Sequence, residues 1–247
     1  MSAENIARRA QPMRTSQRPS QPWAGTAGWA LNCAALALVG YVVVAVTLGA
    51  GFEQDLAAAA ELEGVAVNAV ATSTQAQITH DHALYAFITG LFLLLPPAFL
   101  LRAAGKVGTG AGGGLAHLTW WSALATLIVW WTYVALGLGL FADPEDLPPL
   151  VRDFGPLTVP LVSALSLLAL GSLVFASEAV RGADVARRSA RVATVVSILL
   201  GALSLVALFA TGFEVPVAPI VIVPGALILG IALLRSQRRP PAASGAR

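Results

Sequence analysis

The chain has 247 residues, 57% of them hydrophobic and only 11% charged, with a formal net charge of +2. Soluble domains carry about 25% charged residues, so too few polar groups are present to coat a surface facing water. The mean hydropathy of +0.75 instead describes a chain whose apolar sides are solvated by lipid, and a single cysteine, Cys33, excludes an intramolecular disulfide or a thiolate metal cluster.

Residues 1–26 are rich in Arg, Gln, Pro and Ser and read as a flexible basic tail. Arg8-Arg9 is followed by Ala10-Gln11-Pro12, where a twin-arginine signal needs apolar residues. The apolar run over about 28–50 exceeds the core of a cleaved signal peptide and predicts the first transmembrane helix. Within it Cys33, beside Asn32, reads as a small packing residue.

The segment 52–82 is the longest connection. Its stretch Asp55 to Val70 is Ala-rich and compatible with a helix, either a lid or docking element or a continuation of the first span. Thr72 to Thr79 reads as loose chain. The loop ends in Thr79-His80-Asp81-His82, and two imidazoles with a carboxylate are suitable donors for zinc or copper. In an extended segment His80 and His82 point to one side, making His80, His82 and Asp81 a candidate metal or pH-sensing site. On a helix, residues two apart diverge. The competing reading is that Asp81 or Thr79 caps the next helix, with solvated histidines.

The second span covers about 83–103 and carries Pro96-Pro97, a predicted kink. The third, about 115–141, holds His117, Trp120, Trp121, Trp130, Trp131 and Tyr133. His117, Trp121, Leu124, Ile128, Trp131 and Ala135 share one helical stripe, which reads either as a wall for an apolar ligand, a quinone or a partner helix, or as an interfacial belt with helix packing. His82 and His117 fall at opposite bilayer faces and cannot hold one haem between them. Asp143-Pro144-Glu145-Asp146 lacks the glycine turn and ligand spacing of a calcium loop and reads as solvated.

The fourth and fifth spans, about 157–177 and 192–211, are separated by Glu178, Arg181, Asp184, Arg187, Arg188 and Arg191. Burying those charges at bilayer depth would cost on the order of 15 kcal/mol, so the break is firm. The sixth, about 217–234, contains Pro219 and Pro224 just after Pro216 and is the weakest span, with a re-entrant segment as the alternative. Residues 236–247 form a second basic tail.

With the N-terminus inside, fourteen of the fifteen Lys and Arg residues are cytoplasmic, Arg152 being the exception, and ten of the thirteen acids are external. That distribution follows the positive-inside rule. The expectation is an all-α, polytopic membrane helix bundle of about six spans over 27–235, both termini cytoplasmic, in a bacterial plasma membrane; one Lys against fourteen Arg suggests a GC-rich genome. No catalytic or nucleotide-binding motif is present, and the spans hold no ionisable group at depth, which disfavours an ion-coupled carrier. A non-enzymatic accessory or scaffold subunit is expected, partnered by the bilayer and by a membrane protein or further copies of itself, without nucleic acid. A small permease or channel for an apolar or neutral solute, or a metal-binding or enzymatic site at His80 and His82, are the alternatives. No cofactor is expected beyond a divalent metal at the outer face.

Overall fold

A computed structural model describes residues 22–142, 144–152 and 154–237, and every regular element among them is helical. In chain order these are α1 (Pro22–Leu48), α2 (Ala50–Glu63), α3 (Thr72–Asp81), α4 (Ala83–Ala111), α5 (Gly113–Gly139), α6 (Pro149–Arg152), α7 (Phe154–Gly182), α8 (Arg187–Ala210) and α9 (Val223–Gln237). Short 3-10 turns occupy Val67–Ala69, Pro144–Asp146 and Pro219–Ile222. Six segments are long and apolar enough to cross a membrane: α1, α4, α5, α7, α8 and the composite Pro219–Gln237. This is the make-up of a multi-pass membrane protein.

The helix limits follow local chemistry. Pro22 is pre-set for a first helical turn, and the Trp23 ring lies against Gly110 of α4. The first helix therefore starts ahead of its apolar run, and residues 22–26, read from sequence as tail, are helical. Residues 1–21 and 238–247, the bulk of both expected tails, lie outside the described residues. Gly112 and Gly113, at φ of +67° and +82°, make the sharp turn between α4 and α5, a conformation open to glycine.

The six spans close into a ring: α1 packs on α4, α4 on α5, α5 on α7, α7 on α8, α8 on α9 and α9 back on α1. α7 also reaches across to α4, and 56% of its apolar stretch is buried against 22% for α4, α5 and α8. It is the central helix. Leu31, Leu38, Leu100, Trp130, Leu165, Leu173, Ile222 and Leu229 form the shared core around it. Among the described residues every fully buried hydroxyl-bearing or charged side chain is Ser or Thr.

Small residues set the tightest crossings, as expected where lipid removes a hydrophobic drive between helices. A Cβ added at Gly28 would lie 2.7 Å from the Gly230 carbonyl oxygen, so α1 and α9 meet backbone to backbone. One at Gly40 would lie 2.5 Å from the Phe92 ring. Gly171, by contrast, has open space around it, so its place in a run of small residues does not mark a contact.

The sixth span is a broken helix. Pro216 and Pro219 cannot donate backbone hydrogen bonds, and the chain enters through an irregular turn before Val223. Ser163 and Ser166 of α7 compensate: Val217 N–H donates to Ser163 Oγ at 3.1 Å, and Ser166 Oγ donates to the Val217 carbonyl at 2.6 Å. Irregular backbone at membrane depth is tolerated only when such groups are satisfied by protein. α4 runs through Pro96 and Pro97 without interruption, and in the turn before them the Leu94 carbonyl accepts the indole N–H of Trp131 at 3.3 Å.

Candidate functional site: the helical cap and the charged ends

Consecutive spans joined by short connections run antiparallel, and this sorts the charges. Arg102, Lys106, Arg181, Arg187, Arg188, Arg191 and Arg235 fall at one end, where α4 meets α5, α7 meets α8 and α9 finishes. The opposite end carries Glu53, Asp55, Glu61, Glu63, Asp81, Glu145, Asp146 and Glu214, with Arg152 as its one Lys or Arg among the described residues. These are called below the basic end and the cap end.

The cap is built from the longest connection. α2 and α3 form a helical hairpin closed by the 3-10 turn Val67–Ala69, with Ala59, Ala60, Val70 and Ile78 as its own small core. Gly64, at φ of +65°, ends α2. Glu63 then reaches the start of α3, accepting the Ala71 backbone N–H at 2.8 Å and the Thr74 hydroxyl at 2.7 Å. A carboxylate there satisfies donors that a helix N-terminus leaves open and meets its positive dipole end. The Ala71 backbone bond, and then the Thr74 hydroxyl, hold the Glu63 carboxyl below its ordinary value. Thr72 to Thr79, expected as loose chain, is therefore helical: its start is tied by Glu63, and its inner face is buried.

That inner face docks on the second connection at the same end. Ala76 packs with Leu140, Leu147, Val151 and Phe154, and the Thr72 hydroxyl donates to the Arg152 carbonyl. The 3-10 turn Val67–Ala69 rests on α7. The hairpin thus lies over the bundle and touches the central helix, leaving Leu62 89% exposed at its tip.

The three residues singled out in the sequence as metal donors sit at the end of α3, and the helix sends them to different neighbours. His80 turns toward the second connection, its Nε2 3.3 Å from the Ala142 carbonyl and its ring beside Phe141. Asp81 accepts a hydrogen bond from Gln77 at 3.3 Å on its own helix. His82 occupies the bend between α3 and α4, where its Nε2 meets Asp55 Oδ2 of α2 at 2.8 Å. Phe52 stacks edge-on against His82 at 5.9 Å and on Tyr85 at 5.3 Å. Among the described residues no three His, Cys, Asp or Glu side chains converge as metal donors. The geometry makes His82 and Asp55 a pin between hairpin and bundle. Asp55 and Phe52 as its partners were not legible beforehand, because nothing local in the sequence links positions twenty-seven residues apart.

The stripe on α5 faces outward. Trp121 is 61%, Ile128 56% and Trp131 44% exposed, while the neighbouring Trp130 is fully buried in the core. His117, in the second turn of α5, is exposed and lies the whole length of α4 away from His82 along the chain. At the basic end, Glu178 of α7 accepts the Thr194 hydroxyl of α8 at 2.9 Å and pairs with Arg181, bracing the turn that joins the two helices. Asp184 and Ala186 take positive φ in that turn.

No family model matches the chain, and neither a curated protein nor a solved structure matches it.

Proposed function

We propose that this chain is a non-enzymatic subunit of a bacterial plasma membrane, spanning it six times with both termini cytoplasmic. Its proposed role is a scaffold or accessory component that packs against a membrane partner or further copies of itself. The orientation rests on the concentration of Lys and Arg at one end, which the positive-inside rule places in the cytoplasm. The observation that carries the scaffold reading is the contrast within the bundle. The interior is filled by Leu, Ala, Trp130 and small Ser and Thr side chains, whereas α5 and α8 keep broad aromatic and aliphatic outer faces. The folded cap adds an exposed apolar tip at Leu62, fitted to contact another protein or the lipid surface.

Orientation is tested by labelling single cysteines introduced into a Cys33→Ala background in intact cells. Positions in α2 and α3 should react with a membrane-impermeant maleimide, and reaction at 183–188 would overturn the assignment. The scaffold role is tested by affinity purification from native membranes in mild detergent. A stoichiometric partner or defined homo-oligomer is the expected product, and a monodisperse monomer would count against it.

A second reading, a permease for a small apolar or neutral solute, is supported by one feature. The break in the sixth span faces a cavity of about 190 Å³ bordered by Ser204, Thr211, Pro216 and Val221, and broken helices line the sites of many transporters. Solute flux in proteoliposomes that is lost in Pro216→Ala would favour this reading over the scaffold.

A further inference from the structure

A groove lies at the basic end, away from the cap. It encloses about 480 Å³ between α1, α4 and the last turn of α9, and its walls include Thr26, Trp29 and Cys33 of α1, Phe99 and Arg102 of α4, and Gln237 of α9. Trp29 and Arg102 each lie nineteen positions from the cap-end terminus of their helix, Leu48 and Ala83. At 1.5 Å per residue this is about 28 Å, nearly the ~30 Å thickness of a hydrocarbon core. Both side chains therefore stand at the opposite headgroup level, the depth at which Trp and Arg anchor.

The groove is chemically divided. Trp29, which is 61% exposed, and Phe99 make apolar walls running toward Cys33, deeper in the bilayer. Arg102 stands at the rim with no hydrogen bond or ion pair to any described residue, and Thr26 and Gln237 add neutral polar groups beside it. A planar guanidinium binds phosphate oxygens through paired, charge-assisted hydrogen bonds. A basic group over an apolar groove between spans is the arrangement that holds acidic lipid headgroups.

We propose that this groove is a binding site for an anionic phospholipid, its phosphate on Arg102 and the start of its acyl chains between Trp29 and Phe99. The site goes beyond the scaffold reading, requires only that the helices span a bilayer, and is indifferent to which way they face. A lipid with a choline or ethanolamine ammonium beside its phosphate gains less, because that cation is repelled by Arg102.

Cys33, the chain's one cysteine and partly exposed within the groove, is a built-in reporter. The full-length protein in nonionic detergent is titrated with phosphatidylglycerol, phosphatidylcholine or inorganic phosphate, and the rate of Cys33 alkylation is followed. Phosphatidylglycerol should slow alkylation several-fold more than phosphatidylcholine, and phosphate alone should not slow it. Arg102→Gln should remove the difference between the lipids, while Arg191→Gln, at the same end but outside the groove, should keep it. Equal protection by both lipids, protection by inorganic phosphate alone, or undiminished selectivity in Arg102→Gln would each overturn the proposal. Native mass spectrometry of the unaltered protein supplies a variant-free check, with preferential retention of phosphatidylglycerol expected and indiscriminate retention contradicting the site.

Discussion

α7 and α8 are adjacent in sequence, similarly apolar and joined by a tight turn, yet they occupy opposite situations. α7 is the hub of the bundle, whereas α8 touches α7 and α9 and turns the rest of its surface outward. The outward face of α8 carries Val192, Val195, Ile198, Leu199, Leu203, Val206 and Phe209, all at least half exposed. α7 presents Ser163, Ser166, Ser172 and Ser177 to its neighbours. Ser166 and Ser163 hold the broken sixth span, and Ser172 donates to Ser122 of α5 at 3.0 Å. In lipid, a large aliphatic side chain is equally well solvated inside or outside the bundle. Position is then decided by where small and hydroxyl-bearing residues let backbones approach and share hydrogen bonds.

The largest effects should separate the two helices most plainly. Leu165→Ala in α7 removes a fully buried side chain and should lower stability in detergent by about 2–5 kcal/mol through lost packing and a cavity. Leu203→Ala in α8, where the side chain is 64% exposed, should stay within about 0.5 kcal/mol of the parent. Thermal unfolding followed by circular dichroism distinguishes them, and equal losses would show that α8 is not peripheral.

The next effect concerns the break at Val217. Ser163→Ala with Ser166→Ala leaves both its backbone groups without their partners and should cost about 1–3 kcal/mol, loosening α9 before the other spans. Protection of α9 amides from hydrogen exchange is the direct readout, and unchanged protection would mean that another group holds the turn.

Ser197→Ala on α8 should be close to neutral by the same melting measurement. Its hydroxyl is buried against Gly225 without a hydrogen-bond partner among the described residues, so its loss removes no satisfied bond. A large destabilisation would reveal a partner for that hydroxyl and bring α8 closer in character to α7.

The smallest effect is confined to the cap. The Glu63 carboxyl is held below its ordinary value of 4.5, so its contribution to the hairpin is fully present above that value and fades as pH falls through the lowered one. Glu63→Gln should speed exchange of the Ala71 amide at neutral pH and flatten its acid dependence while leaving α7 and α8 unaltered. Loss of bundle stability instead would show that the cap and α7 unfold together.

The metal-donor reading of His80, Asp81 and His82 depended on backbone shape. An extended chain would align the two rings, but Glu63 at the start of α3 and burial of Ala76 and Ile78 favour a helix. Those causes lie outside the four-residue motif, which is why the motif alone left the matter open. The aromatic stripe on α5 was legible as a stripe, but its direction was not: Trp130, adjacent to Trp131, took the interior.

The sequence by itself determined the helical class, six apolar segments, the firm break between the fourth and fifth, and the division of charge between the two ends. Each follows from a local cost, the transfer of peptide groups and charges into hydrocarbon, that a window of residues already contains. Only the tertiary structure decided that α7 is central, that two serines rescue the sixth span, that the long connection folds into a cap pinned by His82 and Asp55, and that Arg102 overlooks a groove. These depend on which helices meet, and in a chain apolar on nearly every side hydropathy does not choose among partners. Backbone proximity at small residues and a few hydroxyl bonds do.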